Sequence, residues 1–214
     1  MKEYDYYEDI DIIDILKDIS NNKKTSEEEL NNLQSYTKDY FSELYLLFDY
    51  DGHHPIRNKY EDRDEILIQL LSYFNNETEN GKLLLSYPMV EALKEGCTNH
   101  HCIHNNLCHI PIDAGKRYKK IVSHRCKVSQ YSELSLEHWQ QIVKGFVYKL
   151  SCLFQKEDID YKYYRYNINS LSIFLRQMKH YINDFNEIMI ISAFPQFIID
   201  YFGENICESY QCWY

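Results

Sequence analysis

The residues best suited to chemistry follow an apolar run, in the segment Y-L-L-F-D-Y-D-G-H-H-P of residues 45–55. Asp49 and Asp51 stand two positions apart, so on an extended backbone their carboxylates point to the same side. Neighbouring carboxylates repel each other unless a cation lies between them, and oxygen ligands of this kind suit Mg²⁺ or Mn²⁺. The pair therefore predicts a divalent metal site. The alternative is that Asp49 ends a strand and Asp51 forms an ordinary turn with Gly52.

A third acidic residue, Glu91, follows the next predicted strand closely, in the segment S-Y-P-M-V-E of residues 86–91. If the two strands are neighbours in a parallel sheet, Glu91 and the Asp pair meet at the carboxyl ends of the strands, where ligands bind in open α/β sheets. A divalent ion held there can polarise a phosphoryl oxygen or activate water. The alternative places Glu91 in the first turn of a helix, where a negative charge favours the helix dipole.

The positions of these acidic residues depend on a strand–helix–strand pattern in the first half of the chain. Residues 44–48 form a continuous apolar run, which is typical of a strand covered on both faces. Residues 62–74 have the apolar spacing of a helix, and residues 82–87 predict a second strand. A further helix is expected from residue 89. This order predicts an α/β fold with a parallel sheet core and right-handed crossovers.

The flanking parts of the chain are predicted to be mainly helical. Residues 10–19 predict an edge strand that enters a short helix, and residues 25–36 predict a capped helix. In the second half the predicted helices are 137–154, 169–181 and 187–202, the last of them bent or broken near Pro195. The expected domains are an α/β core over 1–95, a Cys/His-rich and basic insertion over 96–130, and a helical carboxyl-terminal region over 131–214.

Cysteine and histidine are concentrated in residues 97–109, where seven of thirteen residues are of these two types. Thiolate and imidazole ligands together suit Zn²⁺, and a structural metal would order a segment that has few apolar residues. The predicted zinc ligands are Cys97, Cys102, Cys108 and His109. The spacing matches no standard zinc finger, and His124 or Cys126 could complete the set. The alternative is a surface loop with one or two buried thiols.

A basic stretch follows, with six Lys or Arg in residues 116–127. The chain as a whole has a net charge of −10, which argues against nucleic-acid binding by bulk charge alone. A local basic groove can still contact phosphates, and Tyr118 can stack on a base. The predicted substrate-binding residues are Lys116, Arg117, Lys119, Lys120 and Arg125. The alternative is the solvated face of an amphipathic helix.

The order of these motifs resembles the Toprim fold, the metal-binding domain of topoisomerases, primases and the nucleases of the OLD and abortive-infection phage-defence groups. The segments Y-L-L-F-D-Y-D-G-H-H-P and S-Y-P-M-V-E carry the likeness, which covers about residues 10–95. It implies a Toprim-like core with Mg²⁺-dependent phosphodiester chemistry, in which Asp49 and Asp51 are ligands and Glu91 is a further catalytic acidic residue. Toprim domains begin with a strand that leads to a Glu-Gly pair, and no such strand precedes Asp49 here.

Two functions are therefore expected as alternatives. The first is a nuclease-like enzyme of prokaryotic phage defence. The sequence has no Walker-type loop, so if the protein acts with ATP, an ATPase partner protein would supply the hydrolysis, an arrangement that the resemblance permits. The second is a catalytically degenerate, Toprim-derived interaction protein with a zinc-stabilised loop. The amino terminus resembles no secretory signal and no apolar stretch is long enough to span a bilayer, which predicts a cytoplasmic protein without a membrane partner.

Overall fold

The structure is a computed structural model that describes residues 12–22, 34–50, 60–95, 108–125 and 130–206. It is a mixed α/β structure in which helices predominate. The strands are β1 (Tyr45–Asp49), β2 (Asn75–Asn76), β3 (Gly81–Ser86), β4 (His109–Pro111) and β5 (Glu187–Met189). The main helices are α1 (Ile12–Asn22), α2 (Tyr60–Tyr73), α3 (Gly115–Arg125), α4 (Leu136–Phe154), α5 (Tyr161–Asn167), α6 (Ser170–Gln177) and α7 (Ala193–Phe202). Within the described ranges, no helix combines the length and apolarity that crossing a membrane requires.

The central sheet contains the parallel strand pair that the sequence predicts. β1 runs parallel to β3, with Tyr45 opposite Lys82 and Asp49 opposite Ser86. The short β2 pairs with β3 in the antiparallel direction, so the sheet is mixed rather than wholly parallel. β3 is the middle strand and each of its six residues is buried, as expected for a strand with neighbours on both sides.

The expectation that β1 is covered on both faces is wrong. Leu47 is 39% exposed and Phe48 is 57% exposed. Among the described strands, β1 pairs with β3 alone and forms the edge of the sheet. An apolar run specifies a strand, but it does not distinguish an edge position from a central one.

The predicted helix over 187–202 is also wrong in its first part. Residues Glu187–Met189 form β5, which pairs with β4 in the antiparallel direction. Further along, Tyr87 and Ile191 exchange hydrogen bonds of 2.7 and 3.0 Å, which connect the end of β3 to the residues that follow β5. Ile188 and Ile190 are fully buried, so tertiary pairing and packing favour the extended conformation over a helix.

Helix α7 begins only after this extended segment. The Ser192 hydroxyl caps it by accepting a hydrogen bond from the Phe194 N–H at 3.3 Å. Pro195 therefore lies in the first turn, where its missing N–H has no partner to lose. The predicted bend near Pro195 is replaced by the start of the helix.

The other predicted elements agree with the structure to different extents. Helices α2 and α4 are confirmed, and α6 continues through a π-helical stretch, Met178–Ile182. The amino-terminal segment forms helix α1 and no edge strand among the residues that are described. The helix expected after β3 is only a short 3₁₀ turn, Val90–Leu93. Residues 25–33 of a further predicted helix lie outside the described residues.

The core lies between the central sheet and the carboxyl-terminal helices. Helix α4 packs against α6 and α7, and both α6 and α7 also contact β3. Val143, Val147 and Leu150 of α4 are fully buried, as is Phe174 of α6. Full burial of one such side chain contributes about 1.5–3 kcal/mol. This helical layer therefore holds β3, and with it both ends of the sheet, in place.

Candidate active site

Asp49 lies at the carboxyl end of the parallel strand pair. It is the last residue of β1, opposite Ser86 at the end of β3, and it is exposed. The next residue, Tyr50, is buried, and its N–H donates to the Ser86 carbonyl at 2.9 Å. The Ser86 hydroxyl accepts from the Ala193 N–H at 3.1 Å, which fixes the start of α7 to the same edge. These hydrogen bonds join the backbone next to Asp49 to the end of β3 and to the start of α7.

Glu91 is positioned by the 3₁₀ turn that follows β3. The Ala92 N–H donates to the Met89 carbonyl at 2.9 Å, which closes the turn around Glu91. One carboxylate oxygen, Oε1, lies 3.1 Å from the Nζ of Lys119 on α3. The other oxygen, Oε2, is buried and accepts no hydrogen bond from the described residues. Oε2 therefore has acceptor capacity that no described residue uses.

The charges of Glu91 and Asp49 both act on the phenol of Tyr131, a residue that is 42% exposed. Burial raises the pKa of the Tyr131 phenol, and the negative charges of Glu91 and then Asp49 raise it further. Since charge effects weaken with distance, both carboxylates lie within electrostatic range of this phenol. The Nζ of Lys94 is 4.8 Å from the centroid of the Tyr131 ring, a cation–π arrangement.

The basic helix α3 contributes one described cation to this cluster. Tyr118 and Val122 face inward and are buried, so the expectation that Tyr118 stacks on a base is wrong. The neighbouring Lys119 reaches Glu91 while remaining 58% exposed. The exposed Arg117 instead pairs with Asp113 at 3.2 Å, and Lys120 is exposed. Lys116 and Arg125 belong to the same helix, but their side chains lie outside the described part of the structure.

The fit of a divalent ion can be judged for two of the three predicted carboxylates. Asp51 lies outside the described residues. Among the residues that are described, no group of three or more His, Cys, Asp or Glu side chains is arranged to hold a metal. The exposed Asp49 and the unbonded Oε2 of Glu91 are nevertheless oxygen ligands of the type that Mg²⁺ prefers. These two residues are compatible with part of a magnesium site.

The predicted zinc ligands are described only in part, because Cys97 and Cys102 lie outside the described residues. Cys108 is buried, and burial raises the pKa of its thiol. His109 Nδ1 lies 2.5 Å from Glu187 Oε2, across the β4–β5 pair. A raised thiol pKa disfavours the thiolate that zinc requires, and a carboxylate partner is typical of a metal-bound histidine. Cys108 therefore disfavours a zinc site, whereas the carboxylate partner of His109 favours one.

A second polar cluster, which the sequence did not predict, lies at the opposite end of the sheet. The Nζ of Lys82 is 2.9 Å from Asp200 Oδ2 and 3.4 Å from Glu77 Oε2. The Tyr164 hydroxyl donates to Asp200 Oδ1 at 2.8 Å. Burial raises the pKa of Asp200, and this outweighs the opposing effect of the Lys82 charge. A lysine inside G-K-L-L-L-S and an aspartate inside F-I-I-D-Y-F were the available signals, whereas Tyr131 offered none.

Comparisons with protein-family models, with curated proteins and with solved structures found no significant match to this chain. The side chains at the two ends of the sheet are therefore the basis for assigning a function.

Proposed function

We propose that this protein acts on phosphodiesters with the aid of Mg²⁺ or Mn²⁺, as the Toprim resemblance of its sequence implies. The observation that supports this most is the cluster at the carboxyl end of the β1–β3 pair. There Asp49 and Glu91 lie near Tyr131, and Lys119 contacts Glu91 at 3.1 Å. Carboxylates suit a hard cation and lysines suit phosphate, so the cluster contains both parts that a phosphodiester site needs.

Asp49 and Glu91 would hold the ion, together with Asp51 from the adjoining segment. When bound, a divalent ion polarises a phosphoryl oxygen and lowers the pKa of its water. The exposed part of Lys119 would bind the phosphate backbone. The Tyr131 phenol, whose ordinary pKa of about 10 is raised here, is protonated at neutral pH and would donate a hydrogen bond to a phosphate oxygen.

Titration with Mn²⁺, followed by electron paramagnetic resonance of the free ion, tests the metal part of this proposal. The variants are Asp49→Asn and Glu91→Gln, which keep side-chain size and remove charge. Asp39→Asn is the matched control, because Asp39 is exposed and lies in a separate 3₁₀ turn, Lys38–Tyr40. We expect the two site variants to bind at least about tenfold more weakly and the control to bind like the wild type. Equal affinity in all four proteins would refute these ligand assignments.

We also propose a second candidate function, that of a non-catalytic interaction protein with a zinc-stabilised loop and an ATPase or another protein as partner. The observation that favours it is an aromatic surface formed by β1 and α7. Tyr201 and Phe202 are 53% and 54% exposed, and the Phe197 ring lies 5.6 Å from Tyr201 and 4.9 Å from Tyr45. Exposed apolar patches often mark partner surfaces.

Metal analysis separates the two candidates. Near-stoichiometric zinc in protein purified without chelator, together with no detectable Mn²⁺ binding, would favour the interaction protein. Mn²⁺ binding that depends on Asp49 and Glu91 would favour the enzyme, with or without zinc.

A further inference from the structure

A cavity of about 360 Å³ opens at the amino end of β3. Lys82, which lies opposite Tyr45 at the start of β1, lines this cavity, whereas Asp49 and Ser86 mark the other end of the same strand pair. The remaining walls come from the β2 segment, from α5 and the residues after it, and from Asp200 of α7. The cavity is therefore separate from the cluster proposed to act on phosphodiesters.

The charges around the cavity cancel. Lys82 lies between Glu77 and Asp200, and Arg165, at the exposed rim, is close enough to help lower the pKa of Glu77. Two acidic and two basic side chains leave no net charge to attract an anion or a cation. The Lys82 ammonium also occupies the place between the carboxylates where a metal would have to bind. The cavity is therefore suited to a neutral polar ligand.

Asp200 can accept one more hydrogen bond on this cavity. Its side chain is only 3% exposed, and Oδ1 is bonded to the Tyr164 hydroxyl. Oδ2 lies 2.9 Å from the Lys82 ammonium, and no other described residue donates to it. Because a carboxylate oxygen has two lone pairs, Oδ2 can accept from a ligand as well as from Lys82.

A hydroxyl group is the complement of this pair of atoms. It can donate to Asp200 Oδ2 and accept from Lys82 Nζ at the same time, which neither an ammonium group nor a carboxylate can do. Asn75 and Asn76 line the same cavity. Asn75 Nδ2 donates to the Ser72 carbonyl, and Asn76 Oδ1 accepts from Thr78. The Asn75 Oδ1 acceptor and the Asn76 Nδ2 donor are the groups that would serve a second hydroxyl. Tyr166, which is 79% exposed at the rim, offers a flat ring face on which a sugar or a base can pack.

We propose that this cavity binds a small neutral molecule with vicinal hydroxyl groups, as found on a free pentose or on the ribose of a nucleoside. One hydroxyl bridges Asp200 and Lys82, and its neighbour reaches the carboxamides of the β2 segment. The cavity volume is within the range of about 300–1,000 Å³ that is usual for small-molecule sites.

Isothermal titration calorimetry with D-ribose, adenosine and 2′-deoxyadenosine tests the proposal. We expect the wild type to bind at least one of the two diols, and 2′-deoxyadenosine to bind about tenfold more weakly than adenosine. Tighter binding of adenosine than of ribose identifies a nucleoside, and equal binding identifies the sugar alone. Absence of binding by both diols, or equal binding of adenosine and its deoxy analogue, would overturn the proposal.

Variants test whether the ligand binds in this cavity. Asp200→Asn removes the charged acceptor and is expected to weaken binding about tenfold or more. Tyr166→Ala removes the exposed rim ring on which the ligand would pack, so it remains informative if Asp200→Asn fails to fold, and we expect weaker binding. Lys162→Ala is the control, because Lys162 is exposed on the same helix and does not line the cavity. Unchanged affinity in each folded cavity variant would overturn the assignment.

Discussion

Replacement of Gln177 by Leu tests the unexpected strand β5. The Gln177 side chain is fully buried and bonds both main-chain groups of Met189: its Nε2 donates to the carbonyl at 2.8 Å, and its Oε1 accepts from the N–H at 2.9 Å. Leucine has a similar size, but it cannot hydrogen-bond the Met189 N–H or the Met189 carbonyl, so neither group would have a partner at position 177. Each unsatisfied group costs about 1–3 kcal/mol, so we expect Gln177→Leu to lower the free energy of unfolding by about 2–6 kcal/mol.

Urea denaturation followed by circular dichroism measures this loss, and Gln177→Glu provides a control of nearly the same shape. The ionised Glu can accept from the Met189 N–H but places a second oxygen against the Met189 carbonyl. Protonation restores a donor, so the stability of Gln177→Glu relative to the wild type should recover as the pH falls. A loss below about 1 kcal/mol for Gln177→Leu would mean that Gln177 does not hold residues 187–189 as a strand.

Three further predictions follow from buried groups. Tyr87→Phe removes a buried hydroxyl that has no hydrogen bond to any described residue. The free energy of unfolding should therefore stay the same or rise by about 1 kcal/mol in urea denaturation, and a clear loss would contradict this. Burial raises the pKa of Asp200, so above about pH 4 the folded state binds more protons there than the unfolded state. The contribution of Asp200 to the free energy of unfolding should therefore fall as the pH rises through its raised pKa. Asp200→Asn should flatten that part of the plot of unfolding free energy against pH. Burial raises the pKa of Cys108 and raises that of Cys152 to about 11, so both thiols should react slowly with iodoacetamide at pH 8. Peptide mapping after this treatment should find both thiols unmodified in folded protein and modified in urea.

The parallel pair of strands was predictable because local signals agree there. The β1 run ends in acidic residues, the β3 run ends at Pro88, and a helix of regular period separates them. Local patterns did not predict β5, because a short apolar run fits a buried strand as well as a buried helix. Its conformation depends on β4 and on the Gln177 side chain, which are distant in sequence.

In the candidate sites, too, local sequence patterns predicted some residues, and others depend on contacts that only the fold creates. Asp49 and Glu91 were predictable because their positions follow from where two neighbouring strands end. Tyr131 was missed because only the structure shows that the charges of these carboxylates raise the pKa of its phenol. Lys82 and Asp200 stand out as charges within apolar segments, but only the structure shows that they pair with each other.

The most direct test of the proposed phosphodiester activity is cleavage of end-labelled single- and double-stranded DNA and RNA. Wild type, Asp49→Asn, Lys119→Ala and the control Asp39→Asn are compared in Mg²⁺ and in EDTA, after circular dichroism has shown that each is folded. We predict cleavage by wild type and control in Mg²⁺ only, and a loss of at least about tenfold in Asp49→Asn. Lys119→Ala should bind substrate more weakly, with a reduced dependence on salt. No cleavage by folded wild type, or equal cleavage by Asp49→Asn, would contradict the proposed activity.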